Sequence, residues 1–304
     1  MKPLQFLITV LALSCSSLGG EPAAPLRFPE EQTAWTAMAA RFSEEPTVKS
    51  DSSKTIELAV AGLRGKEKGA GSASILVDKA TGHVVEVTSN AANFRDEEFA
   101  YFGTFTELRA LTLWHNSNFT GVGLAKVAKL PQLQRITLAG GSLDDAGMAE
   151  LAKITTMHEL RAWHAKFSDA GIALLRGHPA LESIKVGPSW EPLLTDKTLE
   201  HLAECPKLTK LGIAETWLTW EGGFRHLVKR KDQLAEIDLG NCIIDAADVE
   251  RLRGEMPGAK VIWNGLAAAG AELQKEWLRI RAEKWIPKEL VGQALAASRN
   301  QRPE

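Results

Sequence analysis

Apolar positions return along this chain at a nearly fixed interval. From Leu108 to Asn264 the pattern is two or three aliphatics at Leu-x-x-Leu-x-Leu spacing, a polar gap, then Asp or a neighbour followed by Gly and a further aliphatic pair. The clearest match sets Leu133, Ile136 and Leu138 with Asp144 to Met148 against Met157, Leu160 and Ala162 with Ser168 to Ile172, each position offset by 24 residues. Alternation in the first part of the unit predicts a strand, and the spacing of the second part predicts a short helix. One such unit cannot bury its own aliphatics; side-by-side stacking gives them a shared core, so the period predicts a solenoid. Strand segments begin at Leu108, Leu133, Met157, Leu181, Leu208 and Leu234, with a shortened one at 260–264. Helix segments start near Gly123, Gly147, Gly171, Thr198, Gly223 and Asp248. Pro131, Pro179, Pro206 and Pro257 stand just ahead of the next strand, where proline ends a helix and favours an extended entry.

The flanks depart from the period. Pro29 with Glu30 and Glu31 suits a helix N-terminus, and Trp35, Met38, Ala39 and Phe42 then fall on one helical face. Residues 43–54 are polar and turn-like. Ile56 to Val60 alternates as a strand, and Ser74 to Val77 with Val84 to Val87 reads as a hairpin around Gly82. Phe99 and Phe102 share helical spacing behind an acidic run. The Gly65–Gly71 loop lacks the order of a phosphate-binding loop. Beyond Asn264, Leu266, Ala269, Leu273, Trp277 and Ile280 make one apolar helix face, Pro287 interrupts it, and 290–295 suits a second helix. That pair is expected to cap the last repeat, with docking on a partner as the alternative.

The first twenty residues read as a signal peptide. Lys2 supplies a positive start, Leu4 to Leu13 is too short an apolar run to span a bilayer, and Ser17-Leu18-Gly19 offers a small-x-small cleavage site. Ala12-Leu13-Ser14-Cys15 leaves a second reading open, a lipid anchor at Cys15. Both place the protein outside the cytoplasm: periplasmic, secreted or on the outer surface. No later stretch is long and apolar enough for a membrane span.

Two details inside the units carry a resemblance. Cys205-Pro206-Lys207-Leu208 puts a cysteine ahead of the first leucine, and Cys242 lies three residues after Leu239, a place held by Asn116 and Thr216 in other units. In this the chain resembles leucine-rich repeat proteins of the cysteine-containing, ribonuclease-inhibitor-like type. Its Asp-Ala-Gly stretches are similar to those of secreted repeat proteins of planctomycete- and verrucomicrobia-like bacteria. Ala162 in place of a strand leucine, and the missing Asp-x-Gly order in the fourth unit, are departures. The resemblance implies an α/β fold: a right-handed α/β solenoid, or horseshoe, with parallel strands concave and helices convex, capped at both ends. The expected division is 1–20 signal peptide, 21–54 linker and helix, 55–107 N-terminal cap and degenerate first repeat, 108–264 repeats, and 265–304 helical cap and tail. It also implies that Cys205 and Cys242 fill buried or backbone-capping slots, against the alternative of a disulfide.

Composition narrows the function. A net charge of −2 with 24% charged residues lacks the basic excess of a nucleic-acid binder. Nine tryptophans against one tyrosine are unusual. Strand alternation turns Trp114, Arg135, Thr137, Arg161, Trp163, Lys185 and Asp238 outward. His115 and His164 follow the two tryptophans, and Trp217 lies on the same edge, as do Trp190 and Trp220. Tryptophan and arginine are enriched where proteins bind. These residues are therefore the candidate partner-binding set, the alternative being that the tryptophans pack on one another or on the caps. A metal shared by His115 and His164 would have to bridge roughly 10 Å across two strand spacings, so none is expected, nor any cofactor. No Gly-x-Ser-x-Gly or His-Glu-x-x-His is present, and Asp144, Asp145, Asp169, Asp196 and Asp245 recur where a helix needs a cap. His158, His178, His201 and His226 are expected at the surface. The expected function is non-enzymatic protein–protein interaction. Binding of an envelope polysaccharide through a tryptophan ridge is the alternative. Further behind come a hydrolytic enzyme, for which a cleft with paired acids is missing, and a structural envelope module.

Overall fold

A computed structural model describes residues 26–64, 71–188 and 194–263. The proposed signal peptide, the Cys15 site, Trp190 and the C-terminal helices lie outside the described residues.

The periodic aliphatics become one ladder. Strands β5 (Ala110–Trp114), β6 (Arg135–Ala139), β7 (Glu159–Ala165), β8 (Ser183–Pro188), β9 (Lys210–Ile213), β10 (Glu236–Asp238) and β11 (Lys260–Ile262) pair in parallel, each with its sequence neighbour. Leu111, Ile136, Leu160, Ile184, Leu211, Ile237 and Val261 stand in register across them. A second rung runs through Leu113, Leu138, Ala162, Val186 and Ile213. All of these but Val261 are buried. The leading aliphatics Leu108, Leu133, Met157, Leu181, Leu208 and Leu234 are buried too, but lie two residues ahead of each strand.

Helices close each unit behind the sheet: α3 (Asp145–Leu151), α4 (Asp169–Ala173), α5 (Asp196–Leu202), α6 (Arg225–Val228) and α7 (Ala246–Glu255). The unit after β5 has only a 3-10 turn, Val122–Lys126. The π turn Trp220–Phe224 precedes α6. The result is an open α/β solenoid of leucine-rich-repeat type, with the sheet along one side and helices along the other.

The N-terminal end is built differently. Helix α1 (Pro29–Ala39) buries Trp35, Met38 and Ala39, with Phe42 following. Strands β1 (Thr47–Asp51), β2 (Thr55–Ala61), β3 (Ser72–Asp78) and β4 (Val84–Asn90) form an antiparallel meander, and β4 then pairs in parallel with β5. Behind them a 3-10 turn, Asp96–Glu98, leads into α2 (Phe99–Phe102). The buried Glu31 holds α1 in place: its carboxylate meets His83 Nδ1 at 2.8 Å and accepts from the Val84 amide at 2.9 Å. The Phe28 ring stacks on His83 with centroids 3.6 Å apart.

Strand β1 corrects the expectation of a polar turn over 43–54. Its five residues are all exposed, so no period-2 burial marks it in the sequence. Main-chain pairing to β2 makes it a strand, and Lys49 pairs with Glu57 at 3.0 Å. A bulge between Val48 and Ser50 and the charge at Lys49 suit an edge that must not recruit another chain.

Polar straps join successive units. Asn116 is fully buried: its Oδ1 accepts from the Phe94 amide at 3.3 Å, and its Nδ2 donates to Ser89 Oγ and the Trp114 carbonyl. Cys242 and Cys205 stand free and buried, their thiols on the Ile213 and Leu175 carbonyls. The aspartates do more than expected. Asp144 and Asp245 cap their own helices. Asp145, Asp169 and Asp196 instead reach into the next unit, where they accept from the amides and hydroxyls of Ser168, Thr195 and Thr219. Those hydroxyls in turn cap α4, α5 and the π turn. Burial raises the Asp196 pKa, against the Thr219 bonds that lower it.

His178 corrects another expectation, since it is buried rather than exposed. Its Nε2 lies 3.2 Å from the Ile154 carbonyl, and its Nδ1 accepts from the Leu181 amide at 3.1 Å. That pattern fixes the neutral tautomer with the proton on Nε2, and burial lowers the pKa.

Candidate functional site

Three in-register rows of side chains cross the open face of the sheet. The first holds Glu86, Ala110, Arg135, Glu159, Ser183, Lys210, Glu236 and Lys260. The second holds Thr88, Thr112, Thr137, Arg161, Lys185, Gly212 and Asp238. The third holds Asn90, Trp114, Ala139, Trp163 and Gly187. Alternation places them here, because the residues between them are the buried ladder.

Small residues let long side chains lie flat across this face. Arg135 reaches Glu86 at 2.6 Å, two strands away, with only Ala110 between. Lys185 crosses Gly212 to reach Asp238 Oδ2 at 2.5 Å; a Cβ on Gly212 would come within 2.7 Å of Lys185 Cγ. Trp163 covers Gly187, where a Cβ would meet its ring at 2.9 Å. The Lys185 ammonium also sits 4.9 Å from the centre of the Trp163 ring, between an aromatic face and a carboxylate. Ala110, Ala139, Gly187 and Gly212, outward by alternation, are therefore covered by their neighbours. Arg161 folds back on Glu159 at 2.6 Å.

The two leading tryptophans differ. Trp114 is 36% exposed, the one large aromatic among the described residues to stand so far out. Trp163 is half-buried under Lys185. Trp217 is half-buried on a bridge to Ile243. Trp220 is buried, with the Arg251 guanidinium 3.7 Å above its ring, so it packs in the convex layer.

His115 and His164 occupy a corner that recurs at the C-terminal ends of several strands. Ala91, His115, Gly140, Glu215 and Asn241 lie just after a strand and His164 near the end of β7, all with positive φ, from 47° to 73°. Histidine and asparagine tolerate that region better than most residues. His115 turns toward Asn90 at 2.8 Å and His164 toward Glu215 at 3.6 Å, away from each other. Among the described residues no group of three or more His, Cys, Asp or Glu could hold a metal ion.

A trough of about 480 Å³ lies over β6 to β10, walled by Arg135, Glu159, Arg161, Ser183, Lys185, Lys210, Glu236 and Asp238 among others. The sheet thus gathers Arg135, Arg161, Lys185 and Asp238 of the sequence-predicted set around one depression. Thr137 shares the second row with Arg161 and Lys185; Trp114 and Trp163 stand in the third row, outside its walls, and Trp217 and the two histidines lie toward the strand ends. The alternation that picks Arg161 and Lys185 also turns Ser183 and Lys210 outward, into the trough's lining, but the candidate partner-binding set does not include them. Burial pushes the Cys205 thiol up to about 11 and the Cys242 thiol up to about 12, so neither is a thiolate nucleophile at neutral pH.

No family model matches the chain, and no curated protein does either. Among solved structures the chain is similar to an internalin from Listeria monocytogenes, with 18% identity and a TM-score of 0.35. The likeness covers 53% of this chain and 56% of that one, so the chain spans little more than half the length of that structure. A likeness that distant bears on neither partner nor activity, and the fold rests on the strand ladder itself. Among the described residues no helix is long and apolar enough to cross a membrane.

Proposed function

We propose that this protein is a non-catalytic binding module that docks another protein on the open face of its sheet, outside the cytoplasm. The observation that carries the reading is the trough over β6 to β10. Its walls carry arginine, lysine, glutamate and aspartate, and the exposed Trp114 stands outside it, on β5 in the third row. Charges of both signs on a rigid sheet suit a partner of matching pattern, and the rigidity lowers the ordering cost of association. Five cations and four carboxylates in the first two rows from Glu86 to Lys260, a near balance, would not favour a nucleic acid.

Affinity purification from the cells that make the protein tests this with three variants. Arg161→Glu and Trp163→Ala change the open face; Leu174→Asp changes an exposed position on the helical side. A stoichiometric partner kept by Leu174→Asp and weakened at least about tenfold by the other two, some 1.4 kcal/mol, is the expected result. Equal retention by all three overturns the reading. The Trp114 ring beside the Thr112 and Thr137 hydroxyls favours a second reading, stacking of a sugar. Glycan-array binding lost in Trp114→Ala would replace the protein partner with a polysaccharide.

A further inference from the structure

Resting on that docking reading, we infer that the occupant is an extended protein segment laid across the strands, presenting apolar, acidic and basic side chains in that order from β5 toward β10. Three features of the face fix the order. At the β5 end stands the exposed Trp114 ring, which calls for an apolar side chain.

At the middle is Ser183 on β8. Its row neighbours are Glu159 and Lys210, and Arg161 and Lys185 stand in the adjoining row. Three cations therefore surround one hydroxyl. Arg161 spends its Nε on Glu159, which leaves the two terminal nitrogens of the fork for a carboxylate from outside. At the far end β10 carries Glu236 and Asp238, a region of opposite sign. Asp238 is bound by Lys185, so Glu236 is the acceptor left for a partner's cation. A uniformly anionic chain would meet Glu159, Glu236 and Asp238, and a uniformly cationic one would meet Arg161, Lys185 and Lys210.

Spacing turns the order into a motif. Strands lie ~4.8 Å apart and residues along a strand ~3.3 Å apart, so Trp114, three strands and four residues from Ser183, is separated from it by roughly 20 Å on the diagonal, and Ser183 and Glu236 by roughly 10 Å. An extended segment advances about 3.3 Å per residue. The acid then falls about six residues from the apolar side chain, and the base about three further on, read in either chain direction.

The test is selection from a displayed library of random ten-residue peptides on the full chain and on a Lys210→Glu, Glu236→Lys double variant. Both positions lie at the surface, and circular dichroism checks that the variant keeps its fold. The wild type is expected to enrich peptides with the apolar–acidic–basic order at these spacings. The variant is expected to lose them by at least tenfold and to favour peptides with the charges moved. Enriched peptides without charge order, or with the same order on both proteins, overturn the inference. So does the absence of enrichment, since an extended segment would then not be the occupant, although docking of a folded surface would stand. Binders insensitive to both Trp114→Ala and Arg161→Glu would remove the docking reading as well.

Discussion

Single residues show where the repeat period carries information and where chemistry overrides it. His178 stands three residues ahead of Leu181, the place held by Leu130, Ile154 and Cys205 in other units. Aligning the units would have marked it as buried; judging it by residue type did not. Its folded pKa is lowered, chiefly by burial, from an ordinary value of 6.5. Between the two values the unfolded chain binds more protons than the folded one, so stability rises with pH there. The contribution is complete above the unfolded pKa and is lost as pH falls below it. Thermal melts between about pH 7.5 and 5 should show His178→Gln with a shallower loss of Tm than the native protein; an equal slope would contradict the assignment. Asn116 was legible as the polar slot of its unit, but its partners were not. Asn116→Ala strands the buried Phe94 amide and removes the partner of the buried Ser89 hydroxyl, and should cost about 2–3 kcal/mol in denaturant unfolding. A loss under about 0.5 kcal/mol would mean that the slot is not closed.

At the scale of elements, strand and helix existence followed directly from the aliphatic spacing, while the ends moved. Observed strands start about two residues after the leading leucine of each unit, and helices about two residues before the glycine. The leading leucine belongs to the core but not to the ladder, because its own amide bonds back into the turn that precedes it, as Leu133 does to the Leu130 carbonyl. Strand β1 escaped notice because an all-exposed edge has no apolar period. The aspartate straps escaped for a different reason: a helix N-terminal aspartate looks the same whether it caps its own helix or the next. Since each unit meets only its neighbours, stability is close to a sum of unit and interface terms. Asp169→Ala removes bonds to Thr195 and to Thr198 Oγ1 at the junction of α4 and α5. A loss of about 1.5–3 kcal/mol is expected, with faster hydrogen exchange concentrated in those two units. Exchange spread evenly over all units would argue against nearest-neighbour coupling. Gly212→Val should push Lys185 off Asp238 at little cost in stability, under about 1 kcal/mol, and so separate the strap's role in binding from any role in folding.

For the molecule as a whole, the sequence announced a sheet with one face buried and one face free, and the register of the parallel strands β5 to β11 follows from that division. What it could not announce is how side chains lie across the free face. Trp163, Lys185 and Arg135 were legible as outward residues. That they lean over Gly187, Gly212 and Ala110 depends on pairing across strands 24 to 27 residues apart in sequence. Among the described residues, the candidate ridge of aromatic residues therefore resolves into one exposed ring, Trp114, and a charged trough on the same face. The most direct measurement is photo-crosslinking in the producing cells, with a benzophenone side chain placed at Thr137 on the sheet or at Leu174 on the helical side. The account predicts one discrete adduct from Thr137, abolished by Arg161→Glu, and none from Leu174. Adducts from Leu174 alone would contradict it.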